Sequence, residues 1–187
     1  MLLIRKLAAD EAALVKDHLL RLDGEDRRLR FGHAVKPEVI LAACDAIQWQ
    51  RTWMVGAFEG DTLRGVAELR DIGAPDARTG ELAVTVERAF RNRGIGTRLL
   101  EEALLIARNR GFASLYLLCL PDNPKMQHLA RKFSDRIRFA DGEVEVRIRS
   151  PQPDALSVFA EWFSDAVALW QTVVERATAS GRKPADT

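Results

Sequence analysis

The sequence predicts an α/β (α+β) sandwich: a mixed, mostly antiparallel central sheet with helices on both faces, plus an appended C-terminal helix. Two observations carry the sheet. Strand-like segments at 52–58, 63–71 and 81–86 follow one another with only turns or loops between them, as antiparallel neighbours do. A strand, a long amphipathic helix and a second apolar strand then run from 81 to 120, the pattern of a parallel crossover. A third observation carries the appendage. After Pro151–Pro153 a strongly apolar helical segment follows with no strand behind it.

The elements are predicted in order. Residues 2–7 read as a first strand. Asp10 suits the cap of a helix to about Leu22, with Ala12, Val15, Leu19 and Leu20 apolar and Gly24 as its stop. Residues 23–30 form a charged stretch. Pro37 opens a second helix to about Ile47. Gly60-Asp61 joins strands 52–58 and 63–71 as a hairpin, and 73–76 is a loop. Between 94 and 110, Ile95, Leu99, Ala103 and Ile106 make one helical stripe, which Gly111 closes. Residues 114–120 are almost continuously apolar, as in a strand covered on both faces. A short helix spans 125–133. Strands 137–139 and 143–148 turn around Asp141-Gly142, and a last helix runs over about 154–178. Residues 1–150 thus form one domain, 151–179 an amphipathic helix packing on it or on a partner subunit, and 180–187 a disordered tail.

Composition narrows the function classes. The chain has 187 residues, 47% hydrophobic and 29% charged, so it holds a real core and is not disordered. Its 28 basic and 27 acidic residues leave a net charge of +1, against the basic excess of a nucleic-acid binder. No apolar run approaches the roughly 20 residues of a membrane span, and the first residues are too briefly apolar for a signal peptide. The expectation is a cytoplasmic protein with no membrane partner. Cys44 and Cys119 read as buried free thiols. His18, His33 and His128 are scattered, and without Cys-x-x-Cys no metal site is expected.

The chemical signal lies in 81–97, where strand Glu81–Val86 runs through Arg91-Asn92-Arg93 into Gly94-Ile95-Gly96-Thr97. The first N–H groups of a helix lack internal partners and carry partial positive charge, which suits phosphate. Gly94 and Gly96 let a ligand approach the backbone, and Arg91, Arg93 and Arg98 bring full charges. The dinucleotide fingerprint fails, because its third glycine position is Leu99. No Gly-Lys-Ser/Thr exists for a nucleotide-triphosphate loop. A plain strand-to-helix turn is the alternative on the loop alone.

Arg91-x-x-Gly94-x-Gly96 after Val84-Thr85-Val86, with Asn123 after the next strand, resembles the acetyl-coenzyme A signature of the GNAT (Gcn5-related) N-acetyltransferases. The resemblance covers roughly residues 2–148. Within the family it is closest to bacterial protein-lysine acetyltransferase domains, through Glu81, the pair Arg30-Phe31 and the run Asn123–Met126. It implies acetyl-CoA as co-substrate, held by the backbone of Val84, Thr85 and Val86, by Arg91, Asn92, Arg93, Gly94, Ile95, Gly96 and Thr97 at the pyrophosphate, and by Asn123 at the pantetheine arm. Two family features are missing. Phe133 is followed by Ser134 rather than Gly-Phe, and Leu129, Ala130 and Arg131 stand where many members carry a tyrosine acid.

Amine acetylation needs a neutral amine, and deprotonating a lysine at pH 7 costs roughly 4–5 kcal/mol. Glu81 is the expected base, with Glu68 on the adjacent strand as the second choice. A strand N–H near Val84 is the expected oxyanion donor. Cys119 reads as a core thiol. Residues 26–30 read as a solvated helix face, with lining of the acceptor groove as the alternative; His33 is a minor candidate there. The expected activity is transfer of acetyl to a primary amine, on a protein lysine or a small molecule. A non-catalytic acyl-CoA-binding domain of the same fold is the alternative.

The last helix carries Leu156, Phe159, Trp162, Phe163, Val167, Leu169, Trp170, Val173 and Val174 against a narrow polar stripe that includes Ser157, Glu161, Ser164 and Thr172. That arc is wider than one docking contact hides, so the helix is expected to pack on the domain and to offer its remaining surface for a homodimer, with a roof over the acceptor groove as the alternative.

Overall fold

The computed structural model describes residues 2–73, 78–134, 136–140 and 142–180. Strands β1 (Leu2–Leu7), β2 (Thr52–Glu59), β3 (Thr62–Asp71), β4 (Thr79–Val86), β5 (Ser114–Cys119), β6 (Ile137–Ala140) and β7 (Glu143–Arg149) form one sheet. Their order is β1-β2-β3-β4-β5-β7-β6. All neighbours are antiparallel except β4 and β5. That pair is joined by the crossover helix α4 (Ile95–Asn109), a connection only a parallel pair requires. The other helices are α1 (Ala12–Arg21), α2 (Gly24–Phe31), α3 (Pro37–Asp45), α5 (Pro124–Arg131) and α6 (Ala155–Ser180).

Strand alternation divides the core. Val55 and Ala57 of β2 face the cluster around α4, with Leu99, Leu100, Ala103 and Ile106 all at most 1% exposed. Met54 and Phe58 of the same strand join Val15, Leu19, Ile40 and Cys44 from α1 and α3 on the opposite face. Helices therefore cover both faces of the sheet.

Three local expectations change. Asp10 does not cap α1. The residues 9–11 make a single 3₁₀ turn, and Glu11 instead accepts from the Ala8 N–H at 3.0 Å while Arg5 grips it at 2.6 and 2.8 Å. Gly24 does not stop α1. Leu22 is already extended, and Gly24 is the first residue of α2, which the sequence showed only as a charged helical stretch and not as a separate element. Its N-cap is Asp23, whose carboxylate accepts from the Asp26 N–H at 2.8 Å. Strand β5 is not covered on both faces, since Leu118 is 41% exposed. Of the loop expected at 73–76 only Gly73 lies among the described residues, as does Gly142 but not Asp141 of the β6–β7 turn. The expected disordered tail starts inside α6 at Ser180, and 181–187 lie outside the described residues.

Helix α6 packs on β1 and α4 through its polar stripe. Ser157, Glu161 and Ala168 are buried. Glu161 accepts from Lys6 at 2.5 Å, Asn109 at 2.6 Å and Arg110 at 2.8 Å, and Asn109 also bonds Ser157. Burial works to raise the Glu161 pKa, but these three donors outweigh it and hold the carboxyl below its ordinary value. Glu161→Ala should cost about 2–3 kcal/mol, read from urea denaturation, because it strips charge-assisted bonds and leaves their donors unpaired. The sign of the pH dependence follows. With the folded pKa depressed, the contribution is complete above the ordinary glutamate range and is lost as pH falls through the folded value.

Candidate active site

Strands β4 and β5 pair only over Thr79–Leu82 and Ser114–Leu117. On its other edge β4 stays paired with β3 as far as Val86, opposite Gly65. Beyond Leu82, then, β4 keeps one partner and loses the other, while β5 continues along β7 to Cys119 opposite Val144. The sheet parts between its two parallel strands and leaves backbone groups of 83–86 free to bond a ligand.

A cavity of about 570 Å³ opens at this gap. Val84, Thr85 and Val86 line it from the strand. Arg91, Asn92, Gly94, Ile95, Gly96 and Thr97 line it from the loop and helix start, and Asn123 from the far side. Ten of the eleven expected cofactor contacts are thus brought together. Arg93 is not among them; its guanidinium lies over the Phe90 ring, 5.3 Å from the centroid. Arg98 is also exposed outside the cavity.

The glycine loop has the geometry of an anion cradle. Gly94 caps α4 with φ +75°, and Asn92 also has positive φ, at 61°. The first helical bond runs from the Arg98 N–H to the Gly94 carbonyl at 3.1 Å. The N–H groups of Ile95, Gly96 and Thr97 precede it, and no side chain caps them. A Cβ on Gly96 would lie 3.4 Å from Leu129 and 3.9 Å from Val86, so position 96 looks across the cleft. These residues fit a pyrophosphate.

The cations differ from expectation. Arg91 is already engaged. Its Nε donates to the Val86 carbonyl at 2.8 Å, and its Nη2 lies 2.7 Å from the carboxylate of Asp26, which is 6% exposed. Arg91 therefore ties α2 to the end of β4 rather than offering a free charge. Lys125 and Lys132 line the cavity instead, and Lys132 donates to the Thr97 hydroxyl at 3.2 Å. Sequence reasoning missed both lysines, and it gave Asp26 a groove-lining alternative without pairing it to Arg91. The Asp23-x-x-Asp26 spacing, a helix-start signature, was the available signal for α2. Asn123 serves as N-cap of α5, its Oδ1 accepting from the Met126 N–H at 3.1 Å, which leaves the amide nitrogen for the cleft.

Beneath the strand sits His18, 0% exposed, with Nε2 2.8 Å from the Thr85 hydroxyl and Nδ1 3.4 Å from Glu87. Burial lowers its pKa from 6.5 to about 4, overcoming the upward pull of Glu87, so the ring is neutral at pH 7. An unfolded chain takes up this proton first. Stability from the buried neutral ring is therefore complete above pH 6.5 and falls as pH drops toward 4, by about 3 kcal/mol. Urea denaturation at neutral and acid pH should show this fall, and His18→Gln should flatten it.

A second cavity, of about 330 Å³, shares Leu29 and Arg30 with the first. Both candidate bases line it. Glu68 lies 2.5 Å from Arg30, and Glu81 lies 2.6 Å from Arg70, its cross-strand partner. Glu81 sits opposite Tyr116 where β4 and β5 are still paired, whereas Glu68 faces Ala83, the first residue beyond the parting. Arg30 thus lines both cavities, and the solvated-face reading of 26–30 does not hold for Asp26 and Arg30, which turn inward onto the glycine loop and β3. His33 and Tyr116 line neither cavity. Cys44 and Cys119 are free, buried thiols at the groove wall. Burial pushes Cys119 up to about 11, so it carries no thiolate at neutral pH. Among the described residues no cluster suited to a metal ion occurs.

A mixed sheet that parts between its two parallel strands, above a helix opened by glycine, defines a class of α/β domain with a ligand cleft inside the sheet. Solved structures share the fold. The GNAT domain of PAT from S. lividans superposes with TM-score 0.67 at 22% identity, covering 78% of this chain and 89% of that one. YncA from Salmonella typhimurium, a putative acetyltransferase with its cofactor acetyl-CoA, gives 0.59 at 19% identity over 83% and 99%. PaiA N-acetyltransferase from Thermoplasma acidophilum, in complex with coenzyme A, gives 0.59 at 16% over 80% and 99%. The model of the acetyltransferase (GNAT) family matches residues 18–134. The chain belongs to the GNAT acetyltransferase family.

Proposed function

We propose that this chain transfers an acetyl group from acetyl-CoA to a primary amine, on a protein lysine or a small molecule, by direct attack in a ternary complex. The observation that carries this reading is the parted β4–β5 edge over the glycine cradle, joined through Leu29 and Arg30 to a second cavity that holds two glutamates. Acetyl-CoA, when bound, would supply the thioester: the amine nitrogen bonds its acyl carbon, the carbon–sulfur bond breaks, and coenzyme A leaves as the thiolate, which takes up the proton shed by the new amide. The N–H groups of Ile95, Gly96 and Thr97 hold its pyrophosphate, helped by Lys125 and Lys132. Val84 to Val86 offer main-chain groups to the pantetheine arm, and the Asn123 amide nitrogen meets it from α5. A strand N–H near Val84 opposes the charge that develops on the acyl oxygen. Glu81 accepts the proton of the incoming ammonium, and Glu68 is the second choice. With Glu143, these carboxylates outnumber Arg30 and Arg70 along the second cavity, which favours a cationic acceptor.

Calorimetric titration with acetyl-CoA, followed by an acceptor screen read by mass spectrometry, tests the reading. One cofactor per chain and an acetylated amine are expected. An absence of binding overturns it. Binding without turnover over a broad screen supports the second reading, a non-catalytic acyl-CoA-binding domain, which the position of Tyr116 outside both cavities favours.

A further inference from the structure

Helix α6 is attached inside out. The side that meets β1 and α4 is built from Ser157, Glu161, Ser164, Ala168 and Thr172, tied down by hydrogen bonds and ion pairs. The aromatic side faces solvent, with Phe159 57%, Phe163 55% and Trp170 68% exposed. A surface helix ordinarily buries its apolar face and wets its polar one. Here the polar face is consumed by the domain, and the apolar face is what the domain presents.

That face has a register. Leu156, Phe159, Phe163, Ala166, Trp170 and Val173 recur at alternating spacings of three and four, the seam by which one helix packs against another. Trp162 and Leu169, both exposed, widen it. The size also fits. An aromatic side chain buries roughly 150–250 Å², so the four aromatic residues leave on the order of 500 Å² open. Their aliphatic neighbours bring the face toward the roughly 800 Å² that each partner contributes to a stable interface. It exceeds the apolar patch a monomer usually tolerates.

We propose that a second copy of this chain covers this face, the two α6 seams packing against each other about a two-fold axis near Ala166. A heptad seam is satisfied by another heptad seam, and among the described residues α6 is the one helix with exposed aromatic side chains. Self-pairing lets every apolar residue of the seam meet its own kind, as an isologous interface requires. A membrane surface would call for flanking cations, but Arg176 is the only Lys or Arg between 155 and 180. The assembly leaves both cavities open, since no residue of α6 lines either. It does not depend on the proposed chemistry.

The test uses the full chain. Sedimentation across a concentration series should show twice the monomer mass, and Phe163→Glu with Trp170→Glu should halve it while the helical circular dichroism stays unchanged. Should that double variant fail to fold, Ala166→Cys keeps the question answerable. Its exposed thiol should link two copies under mild oxidation, with Cys44 and Cys119 buried and silent. A wild type that sediments as a monomer throughout overturns the proposal, and so does a dimer that survives the double variant or an Ala166→Cys chain that does not cross-link. Monomers that co-sediment with anionic lipid vesicles would assign the face to a membrane instead.

Discussion

Gly96→Glu should abolish acetyl-CoA binding and leave the protein folded. The position is glycine on the first turn of α4, and a Cβ there would meet only Leu129 at 3.4 Å and Val86 at 3.9 Å. Those are ordinary contacts, so Gly96→Ala should be tolerated and serves as the control. A glutamate carries its carboxylate into the cradle itself. It competes for the free N–H groups of Ile95 and Thr97, and it repels the pyrophosphate at close range. A loss of about 3 kcal/mol, about a hundredfold in affinity, is the least expected from like charges brought together in a shielded site. Calorimetry on a variant with an unchanged melting curve is the measurement. Unaltered affinity in that variant would remove the pyrophosphate from this loop. Gly94→Ala should act differently, because φ +75° at Gly94 costs an alanine about 1–2 kcal/mol of backbone strain. Stability should fall there first.

Glu81→Gln should retain acetyl-CoA affinity and lose about 10²-fold or more in turnover at neutral pH. The glutamine keeps the shape of the side chain and a hydrogen bond to Arg70, but it cannot take a proton. Residual activity should then climb with pH, because the acceptor reaches its neutral form unaided as pH approaches the ordinary lysine value of about 10.4. Glu68→Gln is the necessary companion. Its carboxylate is held by Arg30 at 2.5 Å, beside the residue where β4 leaves β5. Should Glu81→Gln keep full turnover while Glu68→Gln loses it, the base is Glu68. Each variant also removes the negative charge facing an arginine, so a KM rise without a kcat loss would mark an acceptor contact rather than a base.

Much of the first cavity was legible because it is lined largely by consecutive residues. A run from Glu81 to Thr97 carries a strand, a turn and a glycine-opened helix start, and each is a local property of a few neighbouring dihedrals and side chains. The second cavity was less legible. Arg30 and Glu68 lie 38 residues apart, and Asp26 meets Arg91 only after α2 folds over the end of β4. A charge run has no period that says which of its members turn inward. Arg93 shows the converse, since its place in the motif suggested a phosphate contact and its guanidinium lies over the ring of Phe90, outside the cavity lining.

By itself the sequence determined the succession of elements along the chain, the β2–β3 hairpin, the one parallel crossover through α4 and the glycine-opened start of that helix, but not the place of β7 between β5 and β6. Hydrophobic period and glycine dihedrals act over a few residues and need no distant partner. Only the tertiary structure decided where β4 parts from β5, which charges are spent on one another and which are left for a ligand, and which face of α6 is buried. Lys6, Asn109 and Arg110 come from three separate places in the chain to meet Glu161. Once they converge, their bonds to that carboxylate offset its desolvation, and the polar stripe of α6 turns inward while its aromatic side stays outside.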